Sequence, residues 1–222
     1  MKFYILGSKI LRPESNKTIF ADGSAGKTFR NKIDLELSHW VPNKTPLEYK
    51  YDTSTEICIS FAKTGNISEY DLAINNHLDV DGILSVFSLI NNEFAIKNEK
   101  VIIEASKMGD FWSYGEKDAQ ILFQGLTLYM EFLENQEEEL DLIEIYEKCF
   151  EKIFELIESK NLTGFDINQG LKALEQSIEL IENKKIEREV FNERFVSYNI
   201  PKALSEKNLE KCLRIPAFNE KL

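Results

Sequence analysis

Cysteine and histidine are scarce in this sequence, and their spacing excludes several kinds of site. Its 222 residues include three cysteines, Cys58, Cys149 and Cys212, which lie far apart. An odd number of isolated cysteines does not supply the disulfide framework of a small secreted domain. No two of them have the close spacing of a structural zinc site. His39 and His77 are the two histidines, so any imidazole chemistry must use one or both.

Long apolar runs are also missing. A membrane-spanning helix requires about 20 consecutive apolar residues, and no segment approaches that length. Near the N-terminus, Arg12, Pro13 and Glu14 interrupt a short apolar patch before a signal-like core forms. These absences predict a protein without a membrane partner, located in the cytoplasm.

Basic residues are outnumbered, with 27 Lys and Arg against 38 Asp and Glu, a net charge of −11. Residues 131–160 hold eleven acidic residues and three lysines, a net charge of −8, which leaves −3 for the remaining chain. This balance argues against binding to double-stranded nucleic acid, which requires a basic surface. Within 137–160, apolar residues recur at helical spacing opposite the acids, which predicts a solvated amphipathic helix. A docking surface for a basic protein partner is the alternative.

The N-terminal half reads as short strands around one clear helix. An apolar stretch at 82–96 predicts a helix, and β-rich segments predict strands at 2–7, 17–23, 31–40, 55–62, 68–75 and 99–111. A strand, a helix and a strand within about 35 residues are typical of a crossover between parallel strands. The sequence therefore predicts an α/β fold with a largely parallel sheet and crossover helices in this half.

The C-terminal half is predicted to be helical. Helical patterns cover 117–136, 138–160 and 171–190, and a late strand is predicted within 191–201. We expect an α/β domain over residues 1–125 that carries the site, and a mainly helical region over 126–222 packed on it. One continuous domain is the alternative.

A glycine-rich segment at residues 21–28, "ADGSAGKT", matches a relaxed phosphate-loop pattern. A true phosphate loop must open a helix, so that backbone amides face the phosphates. Here an alternating, strand-like stretch follows. We therefore interpret Gly23–Gly26 as a hairpin turn, with the nucleotide loop as the less favoured reading.

The most unusual segment is "NNHLDVDGILS" at residues 75–85, in which His77, Asp79 and Asp81 alternate before Gly82. Like charges this close repel unless a cation or hydrogen-bond donors compensate them. A calcium loop is excluded, because a histidine stands first, no glutamate closes the loop and apolar residues follow. Two interpretations stay open. The segment is a metal site at the end of a strand, or Asp81 caps a helix while its neighbours are solvated or bonded within a turn.

The pattern H-x-D-x-D-G-x-x-S before an apolar helix resembles the first motif of the DHH-type (RecJ-like) phosphoesterases. The resemblance implies a hydrolytic centre that binds divalent metal, usually manganese. It implies that His77, Asp79 and Asp81 are metal ligands, that Gly82 permits a tight turn and that Ser85 faces inward.

Another part of the DHH pattern is incomplete in this chain. Asp110 stands where the second aspartate of that superfamily would stand, after the next predicted strand, and the resemblance makes it a further ligand. The Asp-His-His segment that names the superfamily is absent, because His39 and His77 are far apart.

A broader resemblance covers about the first half of the chain. The segments "LELSHW", "NKTP", "DTST", "NNHLDVDGILSVFSLIN" and "GDF", in this order, resemble an uncharacterised bacterial protein family of unknown function. This resemblance supplies no activity. It implies that one arrangement includes Ser38, His39, Asp52, His77, Asp79, Asp81 and Asp110.

These observations predict a metal-dependent hydrolase, a phosphoesterase acting on a small phosphorylated or nucleotide substrate. Its cofactor would be Mn²⁺ or Mg²⁺. The predicted metal ligands are His77, Asp79, Asp81 and Asp110; the predicted catalytic residues are His39 and Asp110; the predicted substrate contacts are Ser38, Asn76 and Ser85. The alternative is a non-catalytic binding or scaffold protein, with a structural polar cluster and an acidic helical docking surface.

Overall fold

A four-stranded parallel sheet organises the N-terminal half of the protein. The structure, a computed structural model, describes residues 1–111, 113, 115–137, 139–159, 176, 179–192 and 195–202. The strands of this sheet are β1 (Lys2–Ile5), β2 (Thr18–Ala21), β3 (Leu35–Leu37) and β4 (Leu72–Asn75). Their order is β1-β4-β2-β3, and every neighbouring pair is parallel. The α/β fold with a parallel sheet is therefore confirmed, and all four carboxyl ends lie at one edge.

Helices make up most of the remaining described chain. They are α1 (Ser54–Thr64), α2 (Val80–Ile90), α3 (Asn92–Lys97), α4 (Glu99–Phe111), α5 (Lys117–Glu134) and α6 (Leu142–Glu158). A separate antiparallel pair, β5 (Glu187–Asn192) and β6 (Phe195–Asn199), contains the predicted late strand. None of the helices in the described ranges combines the length and apolarity that crossing a bilayer demands.

Two of the predicted strands, 55–62 and 99–111, are helices instead. They fall in α1 and α4, so the predicted strand–helix–strand unit, which begins with β4 and ends with 99–111, is wrong in its second strand. Isoleucine-rich stretches favour strands, but the buried positions of α1 include Ile57, Cys58 and Phe61, which is helical spacing. The side chain of Thr53 also accepts a hydrogen bond from the Glu56 amide and caps α1.

The connection from β2 to β3 differs from the predicted hairpin. These strands are parallel, with Ile19 opposite Leu35, whereas a hairpin joins antiparallel strands. Asp22 and Gly23 have φ angles of 49° and 77°, so the chain turns sharply where β2 ends. No helix forms between residues 22 and 34, all of which the structure describes, so a phosphate loop is absent there.

Helix α6 shares the hydrophobic core of the sheet and α2. Phe150 of α6 lies 5.2 Å from Phe3 and 5.6 Å from Phe87, measured between ring centroids. The predicted helical character therefore holds for this part of the C-terminal half. The division into residues 1–125 and 126–222 stays a prediction, because residues 160–175 and 203–222 lie outside the described part of the chain.

At the amino edge of the sheet, Asp34 connects the start of β3 to the start of β2. Its buried carboxylate accepts hydrogen bonds from the Thr18 amide at 3.0 Å and from the Arg30 guanidinium at 2.7 Å. Burial acts to raise the pKa of Asp34, but the hydrogen bonds from Arg30 and Thr18 outweigh it and hold the pKa below its usual value.

We expect Asp34→Ala to lower the free energy of unfolding by about 2–4 kcal/mol at pH 7, because Arg30 loses its partner. A depressed carboxyl pKa stabilises the fold above the unfolded pKa of about 4, and this contribution is lost as pH falls through the folded value. Urea unfolding at pH 7 and at pH 3 should therefore show the difference shrinking in acid. The exposed Glu14 supplies the control, since Glu14→Ala should change little at either pH. A pH-independent difference would contradict this account.

Candidate metal centre

The carboxyl edge of the sheet brings polar side chains from three strands together. Asp22 directly follows β2, His39 lies two residues beyond β3, and Asn75 is the last residue of β4. Helices α1 and α2 begin beside the same edge. Open parallel sheets bind ligands at this position, outside the carboxyl ends of the strands.

One group of potential ligands consists of Asp22, His77 and Asp79. Nε2 of His77 lies 2.9 Å from Oδ2 of Asp22 and 3.2 Å from Oδ2 of Asp79. One ligand atom from each of the three lies within 4.8 Å of the others. The other ring nitrogen, Nδ1, lies 2.7 Å from Oδ1 of Asn76, which orients the imidazole. Metal-binding histidines are commonly oriented through their second nitrogen in this way.

A second group consists of Asp22, His39 and Asp81, whose ligand atoms also lie within 4.8 Å of one another. Nε2 of His39 lies 3.7 Å from Oδ1 of Asp22 and 3.2 Å from Oδ2 of Asp110. Nδ1 of the same ring lies 2.8 Å from the carbonyl oxygen of Asp52. Both histidines therefore turn Nε2 toward carboxylates, and Asp22 belongs to both groups.

Asp22 is the central residue that sequence reasoning missed. Its side chain is 1% exposed, and Oδ1 accepts hydrogen bonds from Trp40 Nε1 at 2.9 Å and Ser54 Oγ at 2.8 Å. The residue lies inside "ADGSAGKT", where the glycines drew the interpretation toward a turn. The usable signal was an acid placed directly after a buried strand and before a glycine, as at a ligand-binding sheet edge.

Four buried atoms at this site make no hydrogen bond of good geometry and face one another in two ion-pair contacts, at 2.9 Å between Asp22 and His77 and at 3.2 Å between Asp110 and His39. They are Oδ2 of Asp22, Nε2 of His39, Nε2 of His77 and Oδ2 of Asp110. Buried polar atoms in folded proteins are nearly always paired. Carboxylate oxygens and imidazole nitrogens that converge in this way form a donor set that suits a divalent cation.

The charge of the cluster shifts the pKa values of its members. Contacts with Asp22 and then with Asp79 raise the pKa of His77 to about 10. Burial, followed by the charge of Asp22, raises the pKa of Asp81 to about 6. Burial and the charges of the other three aspartates raise the pKa of Asp110 to about 8. Without a cation, the cluster therefore limits its negative charge by retaining protons.

The carboxylate of Asp81 also joins the two helices that begin at the site. It is 1% exposed and accepts hydrogen bonds from the backbone amides of Ser54 at 2.9 Å and Thr55 at 3.0 Å. These amides belong to the first turn of α1, so the helix terminus stabilises the charged form. Asp81 thus lies in α2 and binds the start of α1.

The helix-cap interpretation applies to Asp79 and not to Asp81. Oδ1 of Asp79 accepts a hydrogen bond from the Gly82 amide at 2.7 Å and caps α2, while Oδ2 faces His77. Gly82 does not adopt a left-handed conformation, so it is not required for a tight turn. It is required for close approach, because a Cβ there would collide with the Asn75 amide and lie 3.2 Å from Oδ2 of Asp22.

The structure brings five predicted site residues together: His39, His77, Asp79, Asp81 and Asp110. Asp110 reaches the site from helix α4, whereas the sequence pattern placed it after a strand. Asp52 contributes its carbonyl oxygen to His39, and its side chain lies 3.4 Å from Lys107 Nζ.

The three predicted substrate contacts lie around this cluster in different environments. Ser38 is buried, and its hydroxyl accepts a hydrogen bond from the Trp40 amide. Asn76 is exposed beside His77. Ser85 is buried in α2, with its hydroxyl 3.4 Å from Thr55 Oγ1. Their roles in binding substrate stay predictions.

Tyr146 connects helix α6 to the site, and sequence reasoning missed it. The side chain is fully buried; its hydroxyl donates to the carbonyl oxygen of His77 at 2.7 Å and accepts from Asn75 Nδ2 at 2.9 Å. In the sequence it appears as one apolar position of the acidic helix, so no local signal marks it. Through this link the C-terminal helices help to position the backbone at His77.

The model of a family of unknown function, DUF6687, matches residues 8–192. The chain belongs to this family. The DUF6687 region therefore includes every residue of the metal centre, and the predicted membership in an uncharacterised family is confirmed. Neither the curated proteins nor the solved structures contain a match to the chain.

Proposed function

We propose that the chain is a divalent-metal-dependent hydrolase, a phosphoesterase acting on a small phosphorylated or nucleotide substrate in the cytoplasm. The observation that carries the proposal is the convergence of Asp22, His39, His77, Asp79 and Asp81 at the carboxyl edge of the sheet, in two groups whose ligand atoms each lie within 4.8 Å of one another. Together with Asp110, these residues place four carboxylates close enough to repel one another. A cation converts the repulsion into attraction.

Asp22, His77 and Asp79 would hold one cation, and Asp22, His39 and Asp81 would hold a neighbouring one. Asp22 suits a bridging role because its two oxygens face different groups. Mn²⁺ fits better than Mg²⁺, since each group includes an imidazole and Mg²⁺ prefers oxygen ligands. When bound, such cations lower the pKa of a coordinated water and polarise a phosphoryl oxygen.

The chain's own groups supply positioning and proton transfer. Asp110 is 14% exposed and lies 3.2 Å from Nε2 of His39. In the metal-free cluster, burial and the neighbouring aspartates raise its pKa to about 8, so this carboxyl group can hold a proton there. Asp110 is therefore our candidate for the general acid or base, with His39 as its partner.

Calorimetry with Mn²⁺ on the metal-free chain, followed by assays with p-nitrophenyl phosphate and bis(p-nitrophenyl) phosphate, tests this proposal. We expect micromolar or tighter Mn²⁺ binding and metal-dependent release of p-nitrophenol from one of the two esters. A chain that binds no divalent cation at millimolar concentration would overturn the metal centre. Tight binding without hydrolysis of phosphate esters would instead favour a non-catalytic metal-binding protein.

The acidic helix gives the scaffold alternative less support. In α6, Glu144, Glu147, Glu151 and Glu158 are exposed, while Tyr146 and other apolar residues face the core. This is the solvated amphipathic face expected from the sequence, and the described residues of α6 add no feature that identifies a basic partner.

A further inference from the structure

Two large aromatic side chains lie half-exposed beside the metal centre. Trp40 is 55% exposed and Phe111 is 52% exposed. Both rings contact the imidazole of His39 edge to face, at centroid distances of 5.2 Å and 6.0 Å. The two aromatic surfaces therefore flank a residue whose Nε2 points toward the candidate ligands.

Trp40 is held in place despite its exposure. Its indole Nε1 donates to Oδ1 of the buried Asp22 at 2.9 Å, and its backbone is fixed by Ser38 and Asn43. Gly23 leaves room for the indole, because a Cβ at that position would lie 3.1 Å from Cδ1 of Trp40. A large apolar ring fixed rigidly in solvent contact offers a preorganised contact surface to a ligand.

We propose that Trp40 and Phe111 form a stacking surface for a nucleobase, so that the substrate is a nucleotide and not an aliphatic phosphate. This inference rests on the proposed function, since the phosphate would lie at the metal centre. The indole is bonded to Asp22, the residue shared by both ligand groups, so a base attached to that phosphate lies within reach of the ring. Stacking of a base on an aromatic side chain contributes about 1–3 kcal/mol and tolerates any base.

The acidic character of the site favours a single nucleotide or a short one over a long nucleic acid strand. The chain's net charge of −11 gives no support for a basic stripe of the kind that a long nucleic acid strand requires. Recognition would instead combine cations at the phosphate with aromatic contact at the base. The stacking surface would supply the discrimination between nucleotides and other phosphate esters.

Calorimetry on the Mn²⁺-loaded chain with AMP and ribose 5-phosphate tests the proposal, because the two compounds share phosphate and sugar. We expect AMP to bind about 10-fold tighter or more, in line with the stacking contribution. In Trp40→Leu the ratio of the two dissociation constants should fall toward one, whereas Trp40→Phe, which retains a ring, should preserve much of it. Phe111→Leu should also reduce the ratio, and it retains the hydrogen bond from Trp40 to Asp22.

Phe132→Leu is the matched control, because Phe132 is a half-exposed phenylalanine in the last turn of α5 and its replacement should leave the ratio unchanged. If Mn²⁺ binds and the wild-type ratio is one, the stacking surface is overturned while the metal centre stands. If the ratio is high but unchanged in both Trp40→Leu and Phe111→Leu, the base binds elsewhere and the proposal fails. Absence of Mn²⁺ binding would overturn the proposed function and this inference with it.

Discussion

Asp22→Asn is expected to reduce the affinity for Mn²⁺ by at least about 100-fold, the largest effect of any single substitution at the metal centre. Removing residues that only orient metal ligands typically costs 10- to 100-fold, and Asp22 contributes oxygens to both candidate groups. Asparagine keeps an Oδ1 that can accept the hydrogen bonds from Trp40 and Ser54. It replaces Oδ2, which faces Nε2 of His77, with an amide nitrogen that donates hydrogen bonds and carries no charge.

Calorimetric titration with Mn²⁺ measures this effect directly, and the rise in melting temperature on adding Mn²⁺ should disappear in parallel. Asp71→Asn is the matched control, since Asp71 precedes β4 at the opposite edge of the sheet and accepts hydrogen bonds from the Asn16 backbone and side chain. Its Mn²⁺ affinity should equal that of the wild type. Unchanged affinity in Asp22→Asn would show that the carboxylate cluster is not a metal centre.

Comparison of Asp79→Asn with Asp22→Asn tests whether the site binds one cation or two. Asp79 takes part in the group with His77 but not in the group with His39. We therefore expect this substitution to weaken or remove one binding event and to leave the other measurable. Equal losses for Asp22→Asn and Asp79→Asn would point to a single cation.

The part of this site that residue spacing predicts without a family resemblance is the part that is local in the chain. His77, Asp79 and Asp81 alternate within five residues, and β4, the loop and α2 follow one another without a break. Their spacing alone indicates that the two carboxylates repel each other. Position at the end of a strand then follows from the apolar stretches on either side.

Asp22, which sequence reasoning missed, lies next to His77 only because of the order of the strands in the sheet. β2 lies beside β4, which brings Asp22 to His77 across 55 positions of sequence, and nothing near Asp22 in the chain signals that pairing. Tyr146 comes from still farther away, on α6. Neighbours of this kind depend on tertiary packing, which local periodicity does not encode.

Asp110 shows how a site residue can be predicted while its element is not. Its position after an apolar stretch suggested the end of a strand, yet the buried Ile102, Ala105 and Met108 have helical spacing along α4. β-branched residues dominate the start of that segment and bias the pattern toward a strand. The carboxylate still arrives at the cluster, because α4 ends beside His39.

Asp110→Asn is expected to stabilise the metal-free protein at pH 8 by about 1–2 kcal/mol, the opposite of the usual effect of losing a buried polar group. Burial and the charges of Asp81, Asp22 and Asp79 raise the pKa of Asp110 to about 8. Between the unfolded pKa of about 4 and this value, the folded chain binds more protons than the unfolded chain, so stability falls as pH rises through that window. Asparagine removes the group that titrates.

Urea unfolding in the presence of EDTA at pH 5 and pH 8 measures this difference. Wild type should lose stability between the two pH values, while Asp110→Asn should lose less, so that the variant is the more stable chain at pH 8. Greater pH sensitivity in the variant would contradict the assignment. Glu104→Gln, on the same helix but outside the cluster, should follow the wild-type profile.

Adding Mn²⁺ should reverse the order of the two chains. A cation at 100 times its dissociation constant stabilises a protein by roughly 3 kcal/mol, and Asp110→Asn should receive less of that stabilisation if Asp110 supports the bound metal. The destabilisation without metal and the stabilisation with metal then have the same cause. The fold places carboxylates so close together that they repel one another without a cation and bind a cation when one is present. A structural cluster would show the first effect without the second, because only a site arranged for a cation links them.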